Sequence, residues 1–171
     1  MMQSRNKLIA YIGLFTACGI LFGYVEYLLP LPIGIPGVKI GLSNIITVCS
    51  IYLLGAAPAG IVLILRVLLS GLLFGNTYSM LYGLAGGIAA FLVMLLSYRF
   101  NWFSILGLSA AGGVFHNIGQ LAVAAFTISS LNLFYYLPIL LISGILSGLA
   151  VGFLSQIIIK RLIRVMTRDD I

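Results

Sequence analysis

Arg66 interrupts one apolar run, and His116, Asn117 and Gln120 interrupt another. A charged side chain at mid-membrane costs about 2.5 to 3.5 kcal/mol on insertion scales, so Arg66 needs a partner or a wet cavity. Its forked guanidinium suits a carboxylate or phosphate. The structural reading is an ion pair with Glu26, the only carboxylate before Asp169, or a snorkelling side chain. His116, Asn117 and Gln120 fall within one helical turn and share a face with Gly113, either as a ligand-facing stripe or as interhelical locks. A histidine without a neighbouring carboxylate or further ligands makes a poor acid–base catalyst and no metal site. Cys18 and Cys49 stand alone in apolar runs as packing residues. The expectation is therefore no catalytic residue, no metal and no cofactor.

A third polar cluster is Pro36-Gly37-Val38-Lys39-Ile40-Gly41-Leu42-Ser43-Asn44, which joins two apolar runs. Pro30, Pro32 and Pro36, with Gly34 and Gly37, prevent regular helix because proline lacks the amide donor and biases its predecessor away from helix. This predicts a loop over residues 30–39 that faces outside and gates a pocket. Glu26 falls about 27 Å along the first helix, His116 and Gln120 about 20 and 25 Å along theirs, and Asn44 about one turn below the outer surface. These depths place the polar residues in one half of a bundle. With Lys39, Arg66 and His116 outnumbering Glu26, a cavity there favours an anionic ligand carrying a carboxylate, phosphate or diphosphate. The candidate substrate-binding set is Lys39, Asn44, Arg66, His116, Asn117, Gln120 and Glu26.

The elements that position these residues follow from composition. A mean hydropathy of +1.22, with 62% hydrophobic and 7% charged residues, describes an integral membrane protein. The chain has room for about six helices of the length needed to cross about 30 Å of hydrocarbon, and for no soluble domain. The predicted fold is an all-α six-transmembrane-helix bundle forming a single domain over residues 1–171, with helices at about 8–29, 40–54, 58–74, 78–97, 103–127 and 131–159. Arg5 and Lys7 before the first run imitate an export signal, but the run continues to Leu29 without a cleavage site, so a retained helix is expected. Arg5, Lys7, Arg99, Lys160, Arg161, Arg164 and Arg168 share one side against Lys39 opposite, which predicts cytoplasmic termini in a multi-pass protein of the cell membrane. The net charge of +6 is thus an orientation signal and not a nucleic-acid footprint.

Small-residue pairs mark close helix contacts: Gly13-x-x-x-Ala17, Gly19-x-x-x-Gly23, Gly83-x-x-x-Gly87 and the strip Gly144, Gly148, Gly152. Pro138 is expected to kink the sixth helix near its outer end, and Trp102 and Phe103 suit an interfacial belt.

The segment Pro36 to Asn44, then Arg66, then His116-Asn117-Ile118-Gly119-Gln120, resembles the Gx transporter family, also labelled heptaprenyl diphosphate synthase component I. The likeness covers nearly the whole chain. That family in turn is similar to the substrate-binding S components of energy-coupling factor (ECF) transporters. The resemblance implies six helices, a gating loop between the first two, an outward-facing pocket, a vitamin-type or lipid-like substrate, and partners in a transmembrane scaffold and cytoplasmic ATPases. Many S components present Ala-x-x-x-Ala on the first helix to the scaffold; here the pair is Gly13 and Ala17.

The synthase label fits the residues poorly. A prenyl synthase of the familiar type holds magnesium and diphosphate with aspartate-rich motifs, and the only aspartates are Asp169 and Asp170. The expected function is a non-enzymatic, substrate-binding subunit of an ECF-type importer for a small vitamin-like, isoprenoid or quinone-related anion. The alternatives are an accessory membrane subunit of prenyl or quinone metabolism, and a structural assembly subunit.

Overall fold

The computed structural model describes residues 2–29 and 41–166. Among them the chain forms α1 (Met2–Leu28), α2 (Leu42–Leu53), α3 (Ala56–Phe74), α4 (Thr77–Arg99), α5 (Ile105–Ile128), a 3-10 turn over Leu131–Tyr136, and α6 (Leu137–Met166). Five helical stretches are long and apolar enough to cross a membrane, and α2 is a shorter apolar helix. The chain is an all-helical, multi-pass membrane protein. Residues 30–39, with Val38 and Lys39, and Arg168, Asp169 and Asp170 lie outside the described residues.

Helix ends depart from the apolar runs where polar residues carry the helix onward. α1 begins at Met2 and α6 ends at Met166, not near residues 8 and 159, because Arg5, Lys7, Lys160, Arg161 and Arg164 are good helix formers beyond the apolar stretch. α5 starts two residues later than expected, where the Ser104 hydroxyl accepts from the Gly107 amide at 3.4 Å. The sixth apolar stretch starts at Leu131 as a 3-10 turn and becomes α-helix at Leu137. The 3-10 turn absorbs residues 131–136, and Pro138 occupies the first turn of α6, where its missing N–H costs nothing.

Packing runs in a ring, α1 against α2 and α3, α3 against α4, α4 against α5, α5 against α6, and α6 back to α2. Glycines set the closest approaches. A Cβ on Gly19 would stand 3.0 Å from Arg66 Cδ and one on Gly23 3.6 Å from Ser70 Oγ, so α1 and α3 run parallel. Gly83 faces Val67 and Gly87 faces Leu63, so α4 returns antiparallel. Gly144 meets Gly113, Gly148 meets Ser109 and Ala110, and Gly152 meets Leu106, with backbone against backbone. The three-glycine strip is therefore consumed inside the chain.

α2 is the central element. Its residues from Ile45 to Ile51 are all buried, as expected of a helix that is enclosed all round. α1 is the opposite case, burying only Thr16 and Gly19 among its described side chains. Arg5, Lys7, Arg99, Lys160, Arg161 and Arg164 all fall at the end of the bundle where α1 begins and α6 ends, and all are exposed.

Candidate ligand-binding site

At the opposite end the helices diverge around a cavity of about 650 Å³. It is bounded by the second half of α1, the start of α2, the second halves of α3 and α5, the first half of α4, and Ser147 of α6. Glu26, Asn44, Arg66, His116, Asn117 and Gln120 all line it, so four helices, α1, α2, α3 and α5, bring these predicted residues to one space. Lys39 lies outside the described residues. Gly13 and Ala17 are elsewhere, on the outward face of α1, where both are exposed and a Cβ on Gly13 would meet nothing within 4 Å.

Arg66 forms the inner wall. It retains only 5% of its surface, and its aliphatic stem lies against Gly19. Nη2 donates to Asn44 Oδ1 at 2.9 Å and to Thr47 Oγ1 at 3.1 Å. Asn44 and Thr47 are one turn apart on α2, so both oxygens face α3 together. Nε is buried without an acceptor, and Nη1 takes none among the described residues. The guanidinium is thus fixed along one edge by neutral oxygens, with donor capacity left over and no carboxylate bonded to it among the described residues.

A direct ion pair with Glu26, one of the readings open to Arg66, is not formed among the described residues. Glu26 instead accepts from the Gly41 amide at 2.5 Å. Gly41 precedes α2 with φ +78°, a left-handed conformation that glycine adopts without strain. The carboxylate therefore holds a free amide at the start of α2, where negative charge is favoured. Glu26 and Arg66 remain within electrostatic reach of each other.

On α5 the polar residues divide. Asn117 is 9% exposed and donates through Nδ2 to the Leu140 carbonyl at 2.7 Å and to Ser143 Oγ at 3.3 Å. Its amide locks α5 to α6, the plainer of the two roles open to it. His116 and Gln120 line the cavity where α5 crosses Gly86, against which a Cβ would collide with Gln120 Cγ and the His116 carbonyl at 2.7 Å. A small residue on α4 is what lets α5 come close enough to present them.

Sequence reasoning passes over Thr47, Ser70 and Ser79. Thr47 carries a readable signal, one turn beyond Asn44, and Ser70 stands one turn beyond Arg66 on the same face. Ser79 completes a capping box with Asn76, in which each side chain bonds the other's backbone amide at 2.8 Å. Both Asn76 and Ser79 lie on the cavity wall, at the α3–α4 turn. Tyr27 and Phe74 add an aromatic pair to that wall, with ring centroids 5.9 Å apart.

A cavity of this size suits one small molecule, and its polar groups offer an anion a fixed guanidinium. The family model described as Heptaprenyl diphosphate synthase component I matches residues 15–158 of the chain. No curated protein and no solved structure matches it.

Proposed function

Because the chain belongs to the heptaprenyl diphosphate synthase component I family, we propose that it is the non-catalytic, substrate-binding membrane subunit of an ECF-type importer. Its termini face the cytoplasm, α2 serves as a sixth span, and the cavity opens to the outside of the cell membrane. The observation that carries the reading is Arg66, a buried cation with unused donors on the wall of a 650 Å³ cavity. Membrane arginines turned inward characteristically mark ligand paths. The ligand is a small vitamin-like, isoprenoid or quinone-related molecule whose anionic group meets Arg66, with Asn44, His116 and Gln120 beside it. Gly13 and Ala17 supply the scaffold contact, since both are small and exposed and a Cβ at Gly13 meets nothing within 4 Å.

The family description favours a second reading, an accessory membrane subunit of prenyl diphosphate metabolism. Affinity purification in mild detergent separates the two. Copurification of a membrane scaffold with ATPases supports the importer, and copurification of synthase subunits supports the accessory role.

A further inference from the structure

We infer that the ligand of this cavity is bipolar, with an anionic group at Arg66 and a cationic amine or strong N–H donor held by Glu26, about 5 to 10 Å away. This rests on the reading of the cavity as a binding site and names the class of molecule it takes.

Two opposite charges line one cavity without pairing with each other among the described residues. Their separation follows from the helices that carry them. Arg66 Cδ lies against Gly19, and Glu26 is two turns farther along α1, about 10 Å on. Along α2, the Gly41 amide bound by Glu26 precedes Asn44, bound by Arg66, by one turn, about 5 Å.

The two ends have different chemistry. At the inner end the guanidinium is bonded only to neutral oxygens among the described residues, so no carboxylate occupies its remaining donors there. At the other end the Glu26 carboxylate gives one oxygen to Gly41, and Tyr27 and Phe74 line the same cavity. A carboxylate and aromatic rings lining one cavity both attract a cation. A purely anionic ligand at Arg66 would instead be repelled by Glu26, on the order of fifty-fold in affinity at about 7 Å and an effective dielectric of about 20. An amine on the same ligand turns that repulsion into attraction.

The test uses three probes of one length, 6-aminohexanoate, hexanoate and hexylamine, titrated against the detergent-solubilised full chain and against its Glu26→Gln and Arg66→Ala variants. Glutamine retains an oxygen that accepts from Gly41, and thermal unfolding checks that each variant is folded. The expected result is that 6-aminohexanoate binds at least about tenfold more tightly than hexanoate, as one charge-assisted hydrogen bond predicts. Glu26→Gln should erase that advantage and strengthen hexanoate, because it removes the repulsion. If hexanoate binds wild type as tightly as 6-aminohexanoate and loses binding in Arg66→Ala, the bipolar assignment is wrong while the anion site stands. A uniform loss of all probes in folded Glu26→Gln would also overturn it, making Glu26 a cap for α2 only. No binding of any probe to wild type overturns the assignment, and the cavity reading then depends on its own test with the natural ligand.

Discussion

Gly148→Ala is expected to destabilise the bundle although alanine is the better helix former. A Cβ at this position would stand 2.6 Å from the Ser109 carbonyl oxygen and 2.7 Å from Ala110 Cα, and both are backbone atoms that no rotamer change moves aside. Ordinary contact begins at 3.4 Å, so α5 and α6 must separate by about 0.8 Å. Overpacking of this kind costs about 1 to 3 kcal/mol, against about 1 kcal/mol gained in helix propensity. The net loss, up to about 2 kcal/mol, corresponds to a fall of up to roughly 4 to 8 °C in thermal midpoint for a chain of this size. Thermal unfolding in one detergent, with Gly13→Ala as the control, measures it; nothing lies within 4 Å of a Cβ at Gly13. A midpoint for Gly148→Ala as high as that of the Gly13→Ala control would refute the backbone contact between α5 and α6.

Gly13→Leu and Ala17→Leu should leave the thermal midpoint within about 1 °C of wild type yet abolish copurification of a scaffold, since both side chains would project from an open face; retained assembly would place the contact elsewhere. Asn117→Leu should lower stability by about 0.6 to 2 kcal/mol through loss of its bonds to Leu140 and Ser143, and a variant that kept full stability but lost ligand would reverse its assignment. Gln120→Leu should weaken ligand binding only about two- to tenfold, the worth of one neutral hydrogen bond, as read by titration. A cysteine at Val38 should react with an impermeant reagent added outside intact cells; reaction from the cytoplasmic side alone would invert the proposed topology.

Much of this architecture is legible in the residues. Apolar runs broken by Gly55, Gly75 and Asn76 mark the helices, and the placement of Glu26, Asn44, His116 and Gln120 in one half of the bundle follows from a fixed rise per residue. What is not legible is which of several small or polar residues meets which neighbour. Gly13 and Gly19 look alike in sequence, but six positions of helix turn them to different faces, one open and one against Arg66. Asn117 looks like its neighbours His116 and Gln120, yet its angle on α5 sends it to the Leu140 carbonyl. Glu26 is one partner the sequence leaves open for Arg66. The left-handed turn at Gly41 instead presents an amide to that carboxylate, and Asn44 and Thr47 take the guanidinium. Such choices are decided by tertiary geometry between helices distant in sequence.

Native mass spectrometry of gently extracted wild type and Arg66→Ala tests the central claim most directly. Two charge-assisted hydrogen bonds at about 1.5 to 3 kcal/mol each make the loss at least about a hundredfold. The account predicts a small-molecule adduct on the wild type that is missing from a folded Arg66→Ala protein. An adduct retained by folded Arg66→Ala at wild-type occupancy would contradict it.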